Sequence, residues 1–474
     1  MDDGYKQSAA SSRMMLPLLF VLLYAAFQGA VAESSGQPPS MKKSAQFMAP
    51  NRLGSSVVFP LSGNVYPLGY YSVPLSIGNP PKVFDFDIDT GSDFTWVQCD
   101  VPCKGCTVPT ERQYKPNHNA VLCENPLCKE ASWPPGQDCK NPKHQCDYEI
   151  KYADNDQSMG ALVIDVLPIK LTNGSVFRPK LVFGCGYDQL NLAQNRPPAI
   201  AGVIGLGKGK ISVLSQLHAQ GLTLQNIVGH CLSRKGGGFL FLGGEVVPPS
   251  GMTWTPLLPN PSDKHYKTGP AELLFGGKST GVKGLNIIFD SGSSYTYFNS
   301  VAYTASINLI KSSLNGKPLT GTKDETLAVC WKGTKPFKSI SDVQGYFKPL
   351  MLRFARGAQF QILPESYLII TKHGNVCLGI ISSVKEGIGE INMIGDISMQ
   401  DMTVAYDIDS QRLGWKYANC DRLPNVDGDY NEGFWQSYAA HFGIAEDNYL
   451  STDADEYEIN NKLARERKFS EKSK

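Results

Sequence analysis

Two short segments of the sequence carry the residue types that a hydrolytic centre needs. Residues 88–97 read IDTGSDFTWV, and residues 289–298 read FDSGSSYTYF. Each segment places an aspartate, Asp89 or Asp290, at the end of an apolar run. Two carboxylates held side by side cannot both ionise cheaply, so they share one proton. We therefore expect one carboxylate to activate a water molecule as a general base, while the other, protonated, donates a hydrogen bond to the carbonyl group under attack.

Glycines and hydroxyl side chains next to both aspartates are suited to support this pair. Gly91 and Gly292 let the backbone turn sharply after each carboxylate. The neighbouring hydroxyl groups that can donate hydrogen bonds to the carboxylates are those of Thr90, Ser92, Ser291 and Ser293. A single Asp-Thr-Gly string would more simply be a turn capped by its aspartate. Two ten-residue copies in one chain favour the catalytic interpretation.

The repeat also predicts how the chain is organised. Residues 203–205 (VIG) follow the first copy and residues 393–395 (MIG) follow the second, so each aspartate motif has an apolar-apolar-Gly string downstream. Two similar lobes with the same parts in the same order explain this pattern. Short alternating runs broken by Gly, Pro and Asn indicate a mainly β structure. Long helices are few, and we expect one from near Ser212 and one from about Ser300 to near Gly316.

The two ends of the chain differ in composition from the part between them. Lys6 and Arg13 precede an apolar run and an Ala-Val-Ala string, which predicts a secretory signal peptide at residues 1–32. The run is too short to span a bilayer comfortably, so we expect no stable membrane anchor. Residues 33–62 are polar and predict a flexible leader or short prosegment. Residues 422–474 predict a charged tail that is partly disordered.

Charge and cysteine usage narrow the function further. The formal net charge is +1, so no global field favours nucleic acid. Nine of the twelve cysteines precede Asp290 and three follow it, so at least one disulfide must join the two halves if all are paired. Cys103 and Cys106 form a C-x-x-C string without a matching histidine pair, and we expect neither a metal site nor a cofactor. Asn173 begins the only N-x-S/T sequence in which x is not proline, and it is the expected glycosylation site.

Further segments extend the match beyond the two aspartate motifs. They are residues 148–154 (YEIKYAD), residues 183–188 (FGCGYD) and the cysteine-rich stretch 99–146. Together with the motifs, they make residues 60–421 resemble the pepsin-type aspartic proteases, and within them the plant nucellin-like branch. This resemblance implies a mainly β, bilobal pepsin-like acid protease fold with a cleft between two pseudo-symmetric lobes, residues 63–244 and 245–421.

The resemblance also implies a hairpin flap that closes over the substrate. Tyr152 is then the flap tyrosine, and Trp96 is its support. The flap tip departs from the usual plant pattern, which is rich in glycine, because residues 152–157 contain none.

Two disulfide expectations come from the same resemblance. Cys330 and Cys377 match a disulfide of the C-terminal lobe. That match leaves Cys420 as the cysteine of the second half without a local partner. We hypothesise that Cys185 pairs with Cys420 across the two lobes.

The expected function is that of a secreted aspartic endopeptidase. It would cleave peptide bonds at acidic pH, bind an extended peptide substrate by strand-like hydrogen bonds, and act as a monomer. Its destination stays open between the extracellular space, the cell wall and the vacuole. The alternative is a non-catalytic inhibitor or binding protein on the same fold, such as the plant inhibitors of microbial glycan hydrolases. Catalytic motifs are typically disrupted in those relatives, so the intact Asp89 and Asp290 favour the enzyme.

Overall fold

β-Strands form most of the regular structure. The computed structural model describes residues 56–131, 139–192, 199–260 and 263–424. The predicted signal peptide, most of the leader and all but the start of the tail lie outside these residues. We call residues 56–244 the first half and residues 245–424 the second half.

The first half contains twelve of the described strands. They are β1 (Val57–Asn64), β2 (Tyr70–Ile77), β3 (Lys82–Asp89), β4 (Trp96–Gln98), β5 (Asp147–Lys151), β6 (Gln157–Val166), β7 (Ile169–Lys170), β8 (Val176–Phe177), β9 (Lys180–Leu190), β10 (Gly202–Gly205), β11 (Ile227–Leu232) and β12 (Gly238–Leu242).

The second half contains the other fifteen described strands. They are β13 (Thr253–Pro256), β14 (Lys267–Phe275), β15 (Lys278–Ser279), β16 (Leu285–Phe289), β17 (Thr296–Phe298), β18 (Thr320–Thr322), β19 (Cys330–Lys332), β20 (Leu350–Phe354), β21 (Gln359–Ile362), β22 (Leu368–Ile370), β23 (Val376–Leu378), β24 (Ile380–Ser382), β25 (Met393–Ile394), β26 (Met402–Asp407) and β27 (Arg412–Tyr417).

Helices are short and few within the described residues. The α-helices are α1 (Val213–Ala219), α2 (Ser300–Ser313) and α3 (Asp396–Met399). The single-turn 3₁₀ helices are Thr110–Arg112, Pro126–Glu130, Ile340–Asp342, Gln344–Tyr346, Ala355–Gly357 and Pro364–Ser366. Ser212 and Asn299 cap the first two α-helices by accepting hydrogen bonds from backbone N–H groups of the first turn, as expected for these residue types. No helix in the described part of the chain is long and apolar enough to cross a membrane.

The same pairing pattern surrounds both aspartate strands. In the first half, β10 pairs in parallel with β3 and antiparallel with β4, and β4 pairs in parallel with β9. In the second half, β25 pairs in parallel with β16 and antiparallel with β17, and β17 pairs in parallel with β24. The two halves therefore repeat one arrangement, and the apolar-apolar-Gly strings form the strands that flank the aspartate strands.

One sheet takes strands from both halves. Its thirteen strands run in the order β13-β27-β26-β11-β12-β1-β2-β3-β10-β4-β9-β6-β5, and β11 pairs antiparallel with β26. Across this junction Val228 lies opposite Tyr406, and His230 lies opposite Val404. All four side chains are fully buried. The halves are thus joined by main-chain hydrogen bonds as well as by a shared apolar core.

Six disulfides join all twelve cysteines. They are Cys99–Cys185, Cys103–Cys106, Cys123–Cys139, Cys128–Cys146, Cys231–Cys420 and Cys330–Cys377. The sulfur atoms of Cys123, Cys128 and Cys139 lie close together, but each belongs to a disulfide and is therefore not a thiolate ligand for a metal. The pair Cys330–Cys377 is the one that the resemblance implied.

The predicted disulfide between Cys185 and Cys420 is wrong. Cys185 lies on β9, whose parallel pairing with β4 brings it beside Cys99 instead. In the shared sheet β26 pairs with both β11 and β27, which brings the end of β27 close to β11. Cys420 follows β27 and therefore pairs with Cys231 on β11. The argument from odd cysteine counts nevertheless holds, since Cys231–Cys420 joins the first half to the second.

We expect the Cys231–Cys420 bond to be the covalent link between the halves. A non-reducing peptide map should recover one fragment that contains both residues. Replacing both with serine should lower the free energy of unfolding by about 2–5 kcal/mol, because the unfolded chain regains the freedom of a long loop. The matched control is the Cys330→Ser/Cys377→Ser variant, which removes a bond within the second half. A map that joins Cys420 to any other cysteine would contradict the assignment.

Candidate active site

Each aspartate loop turns back over the glycine of its flanking strand. Gly205 lies in register with Asp89, and the N–H of Leu206 donates to the carbonyl of Asp89 at 2.7 Å. A Cβ atom on Gly205 would lie 2.3 Å from the backbone nitrogen of Phe94. In the second half, a Cβ atom on Gly395 would lie 2.0 Å from the carbonyl oxygen of Tyr295. Glycine is needed at both positions because the backbone of the aspartate loop approaches too closely to leave room for a side chain.

Backbone and hydroxyl groups of each loop hold its own carboxylate. The N–H groups of Gly91 and Ser92 donate to Oδ1 of Asp89 at 2.8 and 3.1 Å, and Ser92 Oγ donates to Oδ2 at 2.5 Å. Asp290 is held in the same way by its own loop. The Gly292 N–H donates to its Oδ1 at 2.9 Å, and Ser293 Oγ donates to its Oδ2 at 2.8 Å.

The two carboxylates lie against each other's loops. A Cβ atom on Gly91 would lie 2.6 Å from Asp290 Oδ1, and a Cβ atom on Gly292 would lie 2.6 Å from Asp89 Oδ1. Each glycine therefore leaves the space that the opposite carboxylate occupies. This second use of the motif glycines explains why both copies contain one.

Reciprocal hydrogen bonds join the two loops below the carboxylates. The Thr90 N–H donates to Ser291 Oγ at 3.2 Å, and the Ser291 N–H donates to Thr90 Oγ1 at 2.9 Å. Thr90 Oγ1 also donates to the carbonyl of Phe289 at 3.2 Å, and Ser291 Oγ donates to that of Ile88 at 3.0 Å. These side chains are buried. We call this set of contacts the loop junction.

Burial and mutual repulsion keep a proton on the aspartate pair. Asp89 is 7% exposed and Asp290 is 8% exposed. Burial, followed by the charge of Asp290, raises the pKa of Asp89 to about 7. Burial also raises the pKa of Asp290, against hydrogen bonds from Ser293 and Gly292 that favour its ionised form. The pair can hold one proton through the mildly acidic range.

A third carboxyl group, which sequence analysis did not single out, lies buried near the pair. Asp396 is 1% exposed, and among the described residues neither of its carboxyl oxygens has a hydrogen-bond partner. Burial, reinforced by the charges of Asp87, Asp290 and Asp89, raises its pKa well above the usual value. The signal in the sequence is its place directly after the second apolar-apolar-Gly string, where the first half has Leu206.

The predicted flap is a hairpin of β5 and β6. The indole Nε1 of the buried Trp96 donates to the hydroxyl of Tyr152 at 2.7 Å, so these two residues meet as predicted. At the tip, the Tyr152 N–H donates to the carbonyl of Asp156 at 2.8 Å. Asn155 has φ 70°, a left-handed conformation that asparagine tolerates better than most residues, and it thereby replaces the expected glycine. The amide of Asn191 donates to the Asn155 carbonyl at 2.7 Å and supports this tip.

Comparisons with known proteins place this site in a family. A family model described as xylanase inhibitor N-terminal matches residues 71–244, and one described as xylanase inhibitor C-terminal matches residues 272–417. An aspartic proteinase of Oryza sativa subsp. japonica is 43% identical over 385 residues, which cover 78% of this chain and 92% of that protein. The chain belongs to the pepsin-type aspartic proteases of plants. Aspartic proteinase 39 of Arabidopsis thaliana is a more distant member, at 29% identity over 78% of this chain and 79% of its own.

Solved structures agree with the fold of this family. Basic 7S globulin from soybean aligns with a TM-score of 0.60 over 79% of this chain and 100% of that chain, at 18% identity. The structure named edgp aligns with a TM-score of 0.61 over 79% of this chain and 97% of its own, also at 18% identity. These likenesses bear on the fold alone. With the repeated strand pattern, they confirm the prediction of a mainly β, bilobal pepsin-like fold.

We expect Asp396 to make this aspartic protease less stable as the pH rises. Its folded pKa lies above the unfolded value of 3.8, so above about pH 4 the unfolded chain gains by ionising while the buried group does not. Asp396→Asn cannot ionise in either state. The free energy of unfolding of this variant should therefore fall less steeply with pH, by up to about 1.4 kcal/mol per pH unit. Thermal unfolding from pH 4 to 8 measures it, with the exposed Glu124→Gln as the control. Equal pH slopes for Asp396→Asn and the wild type would contradict the account.

Proposed function

We propose that this protein is an aspartic endopeptidase whose catalytic residues are Asp89 and Asp290. The observation that carries the proposal is the buried pair itself, in which each carboxylate is held by its own loop and lies against the other's glycine. A pair in this arrangement can carry one proton and one negative charge at acidic pH. The substrate proposed is an extended peptide in the cleft between lobes 63–244 and 245–421.

The chemistry follows from the shared proton. The ionised member takes a proton from a water molecule, which attacks the peptide carbonyl. The protonated member donates a hydrogen bond to the carbonyl oxygen as negative charge develops there. Ser92 and Ser293 orient the two carboxylates in this proposal, since each donates to the Oδ2 atom of its own aspartate.

The mature protein should cleave denatured protein substrates at acidic pH and lose activity as the pH rises through about 7, where the pair gives up its proton. Asp89→Asn and Asp290→Asn should each lower kcat at least about a thousandfold, because neither variant can hold the shared proton. The matched control is Asp85→Asn on the same strand, which should keep most of the activity. Full activity of Asp89→Asn, or undiminished cleavage at pH 9, would contradict the mechanism.

Tyr152 and Trp96 are proposed to close the flap over the substrate. Tyr152→Phe removes the hydroxyl that accepts the indole N–H, and leaves that buried donor without its partner. We expect kcat/KM to fall about tenfold, because the hairpin keeps its backbone hydrogen bonds but loses the contact that positions its tip. Tyr417→Phe on β27 serves as the control. Unchanged peptidase kinetics in Tyr152→Phe would exclude the proposed contact from catalysis.

A non-catalytic inhibitor is the second candidate function. The observation in its favour is the family model, whose description names a xylanase inhibitor. The intact aspartate pair and its complete set of hydrogen bonds favour the enzyme, because a binding protein has no use for two buried carboxyl groups that repel each other. If the wild-type protein bound a glycan hydrolase and cleaved no peptide, the inhibitor would become the favoured function.

The proposed setting is the secretory pathway, with the extracellular space, cell wall and vacuole as possible destinations. The six disulfides fit an oxidising compartment. Asn173, the proposed glycosylation site, lies in an exposed turn between β7 and β8. A monomer with no stable membrane anchor remains part of this proposal, as does membership of the nucellin-like branch.

A further inference from the structure

His230 is a fully buried histidine whose contacts are not explained by packing alone. It lies on β11 in the sheet shared by the two halves, with no exposed surface. Its Nε2 lies 3.1 Å from the hydroxyl of Tyr406 on β26. Its Nδ1 is buried and has no hydrogen-bond partner among the described residues. A polar side chain is costly to bury without hydrogen bonds. The contact with Tyr406 is therefore the one through which His230 can act.

The Tyr406 hydroxyl connects this histidine to the loop junction. It lies 3.5 Å from Thr90 Oγ1, a long hydrogen bond, and 3.8 Å from the Met399 sulfur, a weak acceptor. The Tyr406 ring is fully buried and packs on Tyr266 with ring centroids 4.3 Å apart. Tyr266 in turn donates to the carbonyl of Leu206, directly beneath the first aspartate loop. Tyr406 is therefore fixed in position, and the freedom left to its hydroxyl is the direction of the proton.

The direction of that proton affects the loop junction. Thr90 has one hydroxyl proton, which can go to the Phe289 carbonyl at 3.2 Å or to Tyr406 at 3.5 Å. If Tyr406 donates to the Met399 sulfur and accepts from His230, one acceptor position of its oxygen is occupied, and the Thr90 proton stays directed at the carbonyl of Phe289, the residue just before Asp290. If Tyr406 instead donates to His230, its oxygen draws the Thr90 proton away from Phe289. The tautomer of His230 decides between these two arrangements.

Burial favours one tautomer. An orphaned N–H group is rarer in protein interiors than an acceptor that lacks a partner. The proton of neutral His230 therefore belongs on Nε2, where it donates to Tyr406, and the unpaired Nδ1 is left as an acceptor. Burial alone lowers the pKa of His230 to about 3, which keeps the ring neutral at the acidity proposed for catalysis.

We propose that His230 is a positioning residue that donates Nε2–H to Tyr406, directs the Tyr406 hydroxyl proton to Met399, and so leaves the Thr90 proton on the Phe289 carbonyl, which fixes the loop junction beneath Asp89 and Asp290. The role rests on the proposed peptidase function. The chain of contacts passes from His230 in the first half to Tyr406 in the second, back to Thr90 in the first, and ends at Phe289 in the second. It makes the shared sheet part of what sets the geometry of the aspartate pair.

Kinetics of His230 variants test the role. His230→Phe keeps a flat ring but removes the donor, and we expect kcat to fall about five- to tenfold at pH 5 with KM nearly unchanged. His230→Gln supplies an amide N–H in place of the imidazole donor, and it should keep most of the kcat that His230→Phe loses. His218→Gln, on the outer helix α1, is the matched control. Circular dichroism at the assay pH confirms that each variant is folded.

A double-mutant cycle separates positioning from simple destabilisation. Because His230 is proposed to act through the Tyr406 hydroxyl, His230→Phe should have little further effect on kcat in a Tyr406→Phe background. Additive losses of kcat, or a His230→Phe variant with wild-type kcat, would overturn the role. An active wild type with silent His230 variants leaves the peptidase proposal standing, whereas a wild type that cleaves no peptide overturns both.

The tautomer can be observed without measuring activity. Histidine labelled with ¹⁵N gives different two-bond couplings for the two neutral tautomers, and the signals lost in His230→Phe identify His230. We expect an Nε2–H tautomer that does not titrate between pH 7 and 4. An Nδ1–H tautomer, or an ordinary titration near pH 6.5, would overturn the proposal.

Discussion

The hydrogen bonds of the loop junction are the constraint on which the site depends. Two carboxyl groups in a poorly hydrated space repel each other when both are charged, so something else must keep them together. The reciprocal contacts between Thr90 and Ser291 do this, because each backbone N–H finds its acceptor only in the opposite loop. The flanking strands, the motif glycines and the shared sheet can all be understood as support for this junction.

Buried titratable groups make the stability of the protein depend on pH in two opposite ways. Asp89, Asp290 and Asp396 have raised pKa values, so their burial becomes more unfavourable as the pH rises. His230 has a lowered pKa, so below about pH 6.5 the unfolded chain gains by binding a proton that the folded protein does not take up until about pH 3. Between about pH 4 and 6.5 the two effects oppose each other, because a rise in pH costs stability at the carboxyl groups and regains it at His230.

The sequence predicted the parts of the site that are repeated locally. The two aspartates, their glycines and hydroxyl groups, and the apolar-apolar-Gly strands each have a copy, and a copy can be recognised without knowing the fold. The disulfide of Cys185 could not be predicted in this way, because its partner depends on β4 pairing with β9. Cys420 likewise depends on the order of β11, β26 and β27.

Single polar residues in the core were also beyond the sequence. Asp396 has no counterpart in the first half, and His230 is a lone histidine on an apolar strand, so no repeated pattern distinguishes either. Their importance arises from tertiary burial and from neighbours far away in the chain. The tip of the flap shows the reverse case, since Asn155 supplies by its own conformation what a glycine was expected to supply.

A crystal structure of the mature protein with a statine-type peptide tests the central claim most directly. The hydroxyl group of such a peptide imitates the attacking water, so it should lie within hydrogen-bond distance of both Asp89 and Asp290. The flap with Tyr152 should lie over the peptide. A peptide bound elsewhere, or a hydroxyl group in contact with neither carboxylate, would contradict the account of this site as a proton-sharing catalytic pair.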